Sequence, residues 1–271
     1  MKPRLTIVDA FADAPFRGNP AAVCLLAELR ETEWLHGLAR ELDFPATAFV
    51  APDGGAGEAG RNHYQLRWFT AAKELVLCGH GTLASAHVLW EGGHADAAAT
   101  LRFSTKSGVL SCTQRDGWVA MDFPSEPITS TDEPPPGLVA ALGVDPVVVG
   151  RNRLDYLVEV ASAAAVRAAT PDFTALREIP TRGVILTAPA DAAPHDFVSR
   201  FFAPLTGIDE DDATGSAHCC LGPFWAERLG KRDLTGYQAS PRGAVIRVRV
   251  ADKRVELLGQ AVTIVHGHLA I

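Results

Sequence analysis

The amino-acid sequence predicts a mixed α/β protein made of two similar halves, each with a sheet packed around a central helix. Three observations support this fold class. The chain has 271 residues, a length that favours one large or two medium domains. A proline-rich segment lies near the midpoint of the chain. On both sides of it, a strand, a short turn and an apolar helix follow one another in the same order.

Composition and sequence argue against three classes of protein: nucleic-acid-binding, secreted and membrane-spanning. The net charge is −7 and 21% of the residues are charged. Since there is no block of Lys and Arg, the chain lacks the basic stripe of a nucleic-acid-binding protein. The apolar stretch at residues 5–8 is broken by Asp9 and Asp13, so it is not the hydrophobic part of a signal peptide. No stretch of the sequence has the length of a membrane span.

The cysteines favour a cytoplasmic protein with reduced thiols. They number five, an odd count, and their spacing is not that of a disulfide framework. Cys219 and Cys220 are sequence neighbours and are poorly placed to bond each other, so small buried hydrophobic residues are their simplest interpretation.

The most probable domain boundary is the segment 124–137, which reads PSEPITSTDEPPPG. It holds five prolines and few apolar residues, a composition that disfavours a regular element. We therefore expect an N-terminal half at residues 1–124 and a C-terminal half at residues 125–271. The last strand is a candidate to pack back on the first half.

The first half contains two predicted helices, at residues 32–42 and 79–91. Its predicted strands are short apolar or alternating segments, at Leu5–Phe11, Ala21–Leu26, Thr47–Val50, Tyr64–Phe69, Leu101–Phe103, Val109–Thr113 and Val119–Phe123.

The second half contains three predicted helices, near residues 137–142, 171–178 and 215–229. Its predicted strands lie near residues 146–149, 156–160, 183–187, 197–202, 235–239, 244–250, 254–258 and 261–265.

The two halves share a pattern that indicates an internal duplication. The stretch RWFT at 67–70 leads to the helix at 78–91, and RFFAP at 200–204 leads to the helix at 214–227. Placing Gly79 on Gly215 aligns Cys78 with Thr214 and His80 with Ser216. The alternative is that any two buried helices after strands show glycine, small and apolar residues in a similar order, and the sequence leaves both open.

A duplication would bring two helix starts together at one point. Both helices are rich in small and apolar residues on most faces, so each is expected to be buried. Two helix N-termini facing each other would aim free N–H groups and positive dipole ends at the same ligand. Small residues let that ligand come close to the backbone. A small carboxylate suits such a point better than a nucleotide, because neither a G-x-x-x-x-G-K-S/T loop nor a G-x-G-x-x-G loop is present.

A metal site is the less favoured alternative. The potential ligands follow one another too closely on a helix to point the same way, and they lack C-x2-C or H-E-x-x-H spacing; they are Cys78, His80, His218, Cys219 and Cys220. His80 is more plausible as a group that exchanges protons near neutral pH beside a bound carboxylate.

Four acids stand in a row just before the second helix, at residues 209–212. Carboxylates are favourable at a helix start as caps and as partners of the helix dipole. We expect that role for at least two of Glu210, Asp211 and Asp212, which leaves one for chemistry.

Six stretches resemble the PhzF family, named for the isomerase of phenazine biosynthesis. The combination of F-x-G-N-P, C-G-H-A/G-T and E-D-x-x-T-G-S is specific to that family. In this chain the matching stretches are VDAFADAPFRGNPAAVCLL at 8–26, RWFTAAKELVLCGHGTLASAHVLWE at 67–91, SGVL at 107–110, MDFP at 121–124, SRFFAPLTGIDEDDATGSAH at 199–218 and QASPRG at 238–243.

The resemblance implies a diaminopimelate-epimerase-like fold, with two similar domains and the active site between them. It also implies a homodimer without metal or organic cofactor that moves a proton on a small cyclic amino acid carrying a carboxylate. By resemblance, His80 and Asp211 are the proton-handling groups. The expected substrate-binding residues are Gly79, Gly215, Ser216, Asn19 and Thr214. Because only Cys78 remains of the two facing cysteines of related racemases, two-thiol racemisation is not expected.

The chain departs from the family at one position. The family motif N-L/F-S-E-T-A/T-F supplies a glutamate that is the presumed proton shuttle, and here the stretch 42–50 reads LDFPATAFV, with Ala46 in its place. Three interpretations follow. Another group, such as Asp211, His80 or Cys78, could move the proton. The chain could bind a carboxylate without chemistry. Ala46 could be engineered, which is the least favoured because residues 44 and 45 also differ from the motif.

Overall fold

The structure is a computed structural model that describes residues 2–54, 62–96, 98–130 and 133–271. The chain divides into two compact units. The first comprises residues 1–122 and 258–271, and the second comprises residues 123–257. Within the described part of the chain, no helix is both long enough and apolar enough to cross a membrane.

The first unit contains a mixed parallel and antiparallel sheet. Its strands are β1 (Arg4–Ala10), β2 (Asn19–Leu25), β3 (Ala46–Pro52), β4 (His63–Phe69), β5 (Glu74–Leu75), β6 (Leu101–Thr105), β7 (Gly108–Arg115), β8 (Trp118–Pro124) and, from the end of the chain, β17 (Ala261–His268). The strand order is β17-β1-β2-β3-β4-β6-β7-β8. The pairs β2–β3 and β4–β6 are parallel, the other pairs of this series are antiparallel, and short β5 pairs with β4.

The two helices of this unit differ in burial. The helix α1 (Thr32–Leu42) is amphipathic and buries Leu35, Leu38 and Ala39 in a cluster with the side chains of β2 and β3. The helix α2 (Gly79–Glu91) is buried on most faces and packs on β1, β2 and β3. It is therefore the central helix that the sequence predicts for this half.

The second unit repeats this plan. Its strands are β9 (Pro146–Arg151), β10 (Asp155–Val160), β11 (Gly183–Pro189), β12 (Phe197–Ala203), β13 (Ile208–Glu210), β14 (Asp233–Gln238), β15 (Ala244–Ala251) and β16 (Arg254–Gly259). The order β9-β10-β11-β12-β14-β15 has parallel pairs at β10–β11 and β12–β14, and short β13 pairs with β12.

The α-helices among the described residues of the second unit are α3 (Leu138–Leu142), α4 (Ala163–Ala168), α5 (Phe173–Arg177) and α6 (Gly215–Leu229), and a 3-10 turn lies at Pro204–Thr206. The helix α6 is buried over most of its length and packs on β14 and β15. Pro223 lies inside it and has no N–H to give to the carbonyl of Cys219. The backbone N–H of Glu126 donates to that carbonyl at 3.0 Å instead, so the carbonyl remains satisfied.

The strand pairings confirm the internal duplication. In both units the successive strand pairs are antiparallel, parallel, antiparallel, parallel and antiparallel. In both, the central helix lies in the chain between the two strands of the second parallel pair, β4 and β6 or β12 and β14. The β2–β3 pair begins at Ala21 opposite Ala46, and the β10–β11 pair begins at Asp155 opposite Gly183.

One ion pair is also duplicated. Arg67 on β4 forms a two-point ion pair with Glu74, with N–O distances of 2.7 and 2.8 Å. Arg200 on β12 does the same with Glu210, with both distances at 2.7 Å. In each case the guanidinium lies over the ring of the phenylalanine two residues later, Phe69 or Phe202. The similarity of RWFT and RFFAP therefore reflects an equivalent structural position.

The predicted helices and strands are confirmed, with small shifts at their ends. The sequence missed β5, β13 and α4, which are short. The segment 124–137 carries the last residue of β8 and one isolated bridge, between Ser130 and Arg151. Residues 131 and 132 of this segment lie outside the described part of the chain. The division into an N-terminal half at 1–124 and a C-terminal half at 125–271 stays a prediction.

Candidate functional site

The start of α6 is built from Thr214, Gly215 and Ser216. Thr214 is the N-cap residue and has an extended backbone. The first amide N–H groups of a helix have no partner within the helix, so this turn can donate to an anion. The side chain of Thr214 does not cap the helix; its hydroxyl donates to the carboxylate of Asp211 at 2.5 Å.

Gln238 at the end of β14 holds this turn in place. Its side-chain oxygen Oε1 accepts from the backbone N–H of Thr214 at 2.8 Å, and its side-chain N–H donates to the backbone carbonyl of Asp211 at 2.6 Å. Gln238 is buried. The amide thus fixes the segment that carries Asp211 relative to the helix start.

The expected capping role of the acids is wrong for Glu210, which is the partner of Arg200. Asp209 pairs with Arg177 at 2.6 Å. These two acids neutralise arginines that lie 10 and 32 residues earlier in the chain. Asp211 is the acid that contacts the N-cap residue of α6.

Asp212, the last acid of the run, has a raised pKa. Burial raises its pKa from 3.8 to about 6, and the neighbouring acids Asp211 and Glu210 act in the same direction. Arg242, with 3.8 Å between its Nε and a carboxylate oxygen of Asp212, opposes the shift. A carboxyl with this pKa can exchange protons near neutral pH. Nothing in the sequence separates Asp212 from its neighbours, because the shift in its pKa comes from burial.

The start of α2 is the equivalent turn of the first unit. Cys78 is its N-cap residue, and its sulfur accepts from the N–H of Gly81 at 3.4 Å. The sulfur also lies 3.6 Å from Nδ1 of His80. A Cβ at Gly81 would lie 2.7 Å from the ring of Trp68, so glycine lets that ring pack against the helix start. Gly79 is the first residue of the helix.

The two turns share one further detail. The residue four positions after each N-cap donates to the carbonyl of the N-cap residue: Thr82 to Cys78 at 2.6 Å, and Nδ1 of His218 to Thr214 at 2.9 Å. His218 is fully buried, which lowers its pKa from 6.5 to about 4. It is therefore neutral at pH 7 and has a structural place in the helix.

Ala46 is the first residue of β3 and is fully buried. It pairs in register with Ala21 of β2, so two methyl groups occupy this pair of positions. Asn19, the first residue of β2, is also buried and lies opposite Ala10 of β1. A methyl group accepts no proton, so position 46 has no acid–base chemistry of its own.

The cysteines are free and buried. The expectation that Cys219 and Cys220 are buried small residues is confirmed, since burial raises the pKa of both thiols, that of Cys220 to about 12. Among the described residues, no three or more His, Cys, Asp and Glu side chains are grouped so that they could hold a metal ion.

An ion pair that the sequence analysis missed lies beside α6. Arg182, just before β11, donates from Nε to the carboxylate of Asp155 at 2.9 Å and from Nη2 to its other oxygen. Its Nη1 donates to the hydroxyl oxygen of Ser216 at 3.0 Å. The side chain of Asp155 is fully buried and that of Arg182 is 35% exposed. Burial raises the pKa of Asp155, and Arg182 opposes that shift.

The geometry defines a protein with two duplicated α/β units, each with a buried central helix whose start can receive an anion. The family profile described as phenazine biosynthesis-like protein, PhzC-PhzF, matches residues 8–267. An uncharacterized isomerase of Halalkalibacterium halodurans is 45% identical over 265 residues, which are 98% of this chain and 97% of that protein. An uncharacterized isomerase of Pseudomonas aeruginosa is 43% identical over 97% of both chains.

Solved structures agree with the sequence comparison. A PhzF-family protein of Enterococcus faecalis has a TM-score of 0.92 and 37% identity, with complete coverage of both chains. The chain belongs to the PhzF family. A probable proline racemase of Agrobacterium radiobacter has a TM-score of 0.62 at 14% identity, over 99% of this chain and 93% of that one, so it shares the fold. The expected diaminopimelate-epimerase-like fold is confirmed.

Proposed function

We propose that this protein is an isomerase that moves a proton on a small carboxylic acid without a cofactor. The observation that carries the proposal is the turn at 211–216, where one carboxylate and one anion-favouring helix start are joined by the Thr214–Asp211 hydrogen bond. The isomerase names of the relatives from Halalkalibacterium halodurans and Pseudomonas aeruginosa support the reaction class.

The roles follow from chemistry at each helix start. The amides of Gly215 and Ser216, with the hydroxyl of Ser216, bind the carboxylate of the substrate, because N–H and O–H donors at a helix start favour an anion. Gly79 adds the same kind of backbone donor at the start of α2. Asn19 and Thr214 complete the substrate-binding set, Thr214 through its contact with Asp211.

His80 and Asp211 handle the proton. An imidazole changes charge near neutral pH, so it can remove a proton from carbon and return it. Asp211 takes or supplies the second proton. Asp212 is a further candidate, because burial raises its pKa to about 6. These groups replace the glutamate that is absent at Ala46.

The test is incorporation of solvent deuterium into small cyclic and amino carboxylic acids, including dihydro-hydroxyanthranilate, measured by mass spectrometry. Incorporation by the natural chain supports an isomerase that works without a glutamate at position 46. An Ala46→Glu variant is measured beside it. Exchange by the variant alone would show that the natural chain is silent.

The second candidate is a carboxylate-binding protein of the same fold without catalysis. It is favoured by Ala46, since loss of a general base typically removes about 10²- to 10⁴-fold of rate. It predicts saturable binding of a carboxylic acid without deuterium exchange, and turnover that depends on His80 or Asp211 would exclude it.

We also propose that the protein forms a homodimer, as its resemblance to the family implies. Sedimentation or calibrated size-exclusion chromatography over a hundredfold range of protein concentration tests this. A mass of twice 28.8 kDa is expected, and a monomer throughout the range would contradict the proposal.

A further inference from the structure

We propose that Arg182 is a positioning residue that makes the start of α6 selective for a carboxylate, by fixing the hydroxyl of Ser216 as a hydrogen-bond donor to the ligand. The inference rests on the proposed function, because it names the group that selects the substrate class. It concerns residues of the second unit only.

The direction of one hydrogen bond carries the argument. A guanidinium has N–H donors and no acceptor, so Ser216 must accept from Nη1 of Arg182 at 3.0 Å. The hydroxyl hydrogen of Ser216 then points away from Arg182 and is available to another acceptor. A positive charge next to the hydroxyl oxygen also strengthens that hydrogen as a donor to an anion.

Arg182 is held so that it cannot turn away. Nε and Nη2 form a two-point contact with Asp155, whose side chain is fully buried. The guanidinium carbon lies 5.4 Å from the ring centre of Phe201. A Cβ at Gly183 would lie 2.2 Å from that ring, so glycine at 183 leaves the space that Phe201 fills. The position of the Arg182 guanidinium is therefore set by Asp155 and Phe201.

The first unit shows that the fold does not require this ion pair. The register places Ala21 opposite Ala46 where the second unit has Asp155 opposite Gly183. Pro45 therefore stands at the position of Arg182, and two apolar residues replace the ion pair. Burying the carboxylate of Asp155 costs free energy that an apolar side chain in its place does not. Because the ion pair occurs in one of two equivalent units, we infer that it does more than hold β10 to β11.

The same comparison distinguishes the two helix starts. His80 occupies the position of Ser216, and the sulfur of Cys78 already accepts the N–H of Gly81. The start of α6 instead carries a hydroxyl supported by a cation. We therefore assign the substrate carboxylate to the start of α6.

The experiment compares binding of anthranilate and anthranilamide, which differ in one carboxylate. Arg182→Met alone would leave the buried Asp155 without its cation and could unfold the chain. The main variant is therefore Asp155→Ala with Arg182→Met, which removes both charges as in the first unit. Arg228→Met is the matched control, because it breaks another ion pair of α6, with Glu159 at 3.3 Å near the end of the helix. Thermal unfolding verifies that each variant folds.

Calorimetric titration is expected to show wild-type protein binding anthranilate at least tenfold more tightly than anthranilamide. In the double variant that preference should fall by about 10- to 100-fold, the range for hydrogen bonds with a charged partner. Arg228→Met should keep the preference for anthranilate, and Ser216→Ala should lose it. Adding Ser216→Ala to the double variant should change the preference little further, because Arg182 acts through Ser216.

A folded double variant that keeps the carboxylate preference would overturn the proposal. The proposal would also be overturned if wild-type protein bound neither probe at millimolar concentration. Additive losses of the preference from the double variant and from Ser216→Ala would overturn it as well. The outcome is independent of catalysis. If binding depends on Arg182 but wild-type protein shows no deuterium exchange, the isomerase proposal is refuted and the role of Arg182 stands. If wild-type protein exchanges deuterium but the double variant keeps the preference for anthranilate, the role of Arg182 is refuted and the isomerase proposal stands.

Discussion

The hydroxyl of Thr214 donates a 2.5 Å hydrogen bond to the carboxylate of Asp211. This contact joins the N-cap residue of α6 to Asp211, which we propose as a proton-handling group. The same hydroxyl oxygen accepts from the side-chain N–H of Gln238 at 3.3 Å and makes no cap hydrogen bond to its own helix.

Thr214→Val should reduce deuterium incorporation by about tenfold or more, because it removes a hydrogen bond to a charged group, a contact with a net value of about 1.5–3 kcal/mol. Thr214→Ser keeps a hydroxyl and is the matched control, with at most a small loss. Initial rates of incorporation measure the effect. Equal rates for the valine and serine variants would show that the contact plays no part in the reaction.

Asp212 should make the protein less stable as the pH rises. Its pKa is raised from 3.8 to about 6 in the folded protein, so between these values the folded state binds more protons than the unfolded state. Stability is lost over this window and stays lower above it. We expect about 1–2 kcal/mol, less than the full shift implies because the side chain is 24% exposed.

Urea unfolding at pH 4 and pH 7 tests this for the natural chain and for Asp212→Asn. The variant should gain stability relative to the natural chain at the higher pH. A constant difference between the two proteins across the range would contradict the raised pKa.

His218 should make the protein less stable as the pH falls. Its pKa is lowered from 6.5 to about 4 by complete burial. Between these pH values the imidazole is mostly protonated in the unfolded state and mostly neutral in the folded state. The free energy of unfolding should fall by roughly 3 kcal/mol as the pH drops from 7 to 4. His218→Gln keeps a donor near the Thr214 carbonyl but does not titrate, and it should show a smaller fall. NMR detection of a protonated His218 in the folded chain at pH 6 would refute the assignment.

The duplicated ion pairs should differ in their contribution to stability. Arg200→Met leaves the carboxylate of Glu210, whose side chain is only 13% exposed, without its cation, and breaking a buried ion pair typically costs about 3–5 kcal/mol. Arg67→Met should cost less, because Glu74 also pairs with Lys106 at 2.5 Å and keeps one cation. Denaturant unfolding of both variants gives the comparison. A larger loss for Arg67→Met would show that the second cation does not compensate.

The sequence predicted the central helices because their starts carry glycine next to an N-cap residue and their bodies are uniformly small or apolar. It missed β5 and β13, which are too short for a hydrophobic period to appear. The capping expectation for Glu210 was wrong because the competing partner, Arg200, lies on a strand and reaches it only through the tertiary fold.

Arg182 and Asp155 were missed for a related reason. They are 27 residues apart, and the parallel pairing of β10 with β11 brings them together. A sequence pattern shows an acid at the start of an apolar strand, but it does not show the register of a parallel pair. The strand registers of the two units place Asp155 and Arg182 at the positions of Ala21 and Pro45. The sequence offsets differ between these two pairs, so an ungapped alignment of the halves from Arg67 and Arg200 does not reveal the correspondence.

The most direct test of the central claim is deuterium incorporation by chains carrying His80→Gln or Asp211→Asn. Matched controls are His87→Gln in the same helix, whose imidazole contacts Thr263, and Asp209→Asn in the same acidic run, which pairs with Arg177. We predict that the first two variants lose at least about 10²-fold of the rate of the natural chain and that both controls keep it. Unchanged rates in the His80 and Asp211 variants would contradict the account.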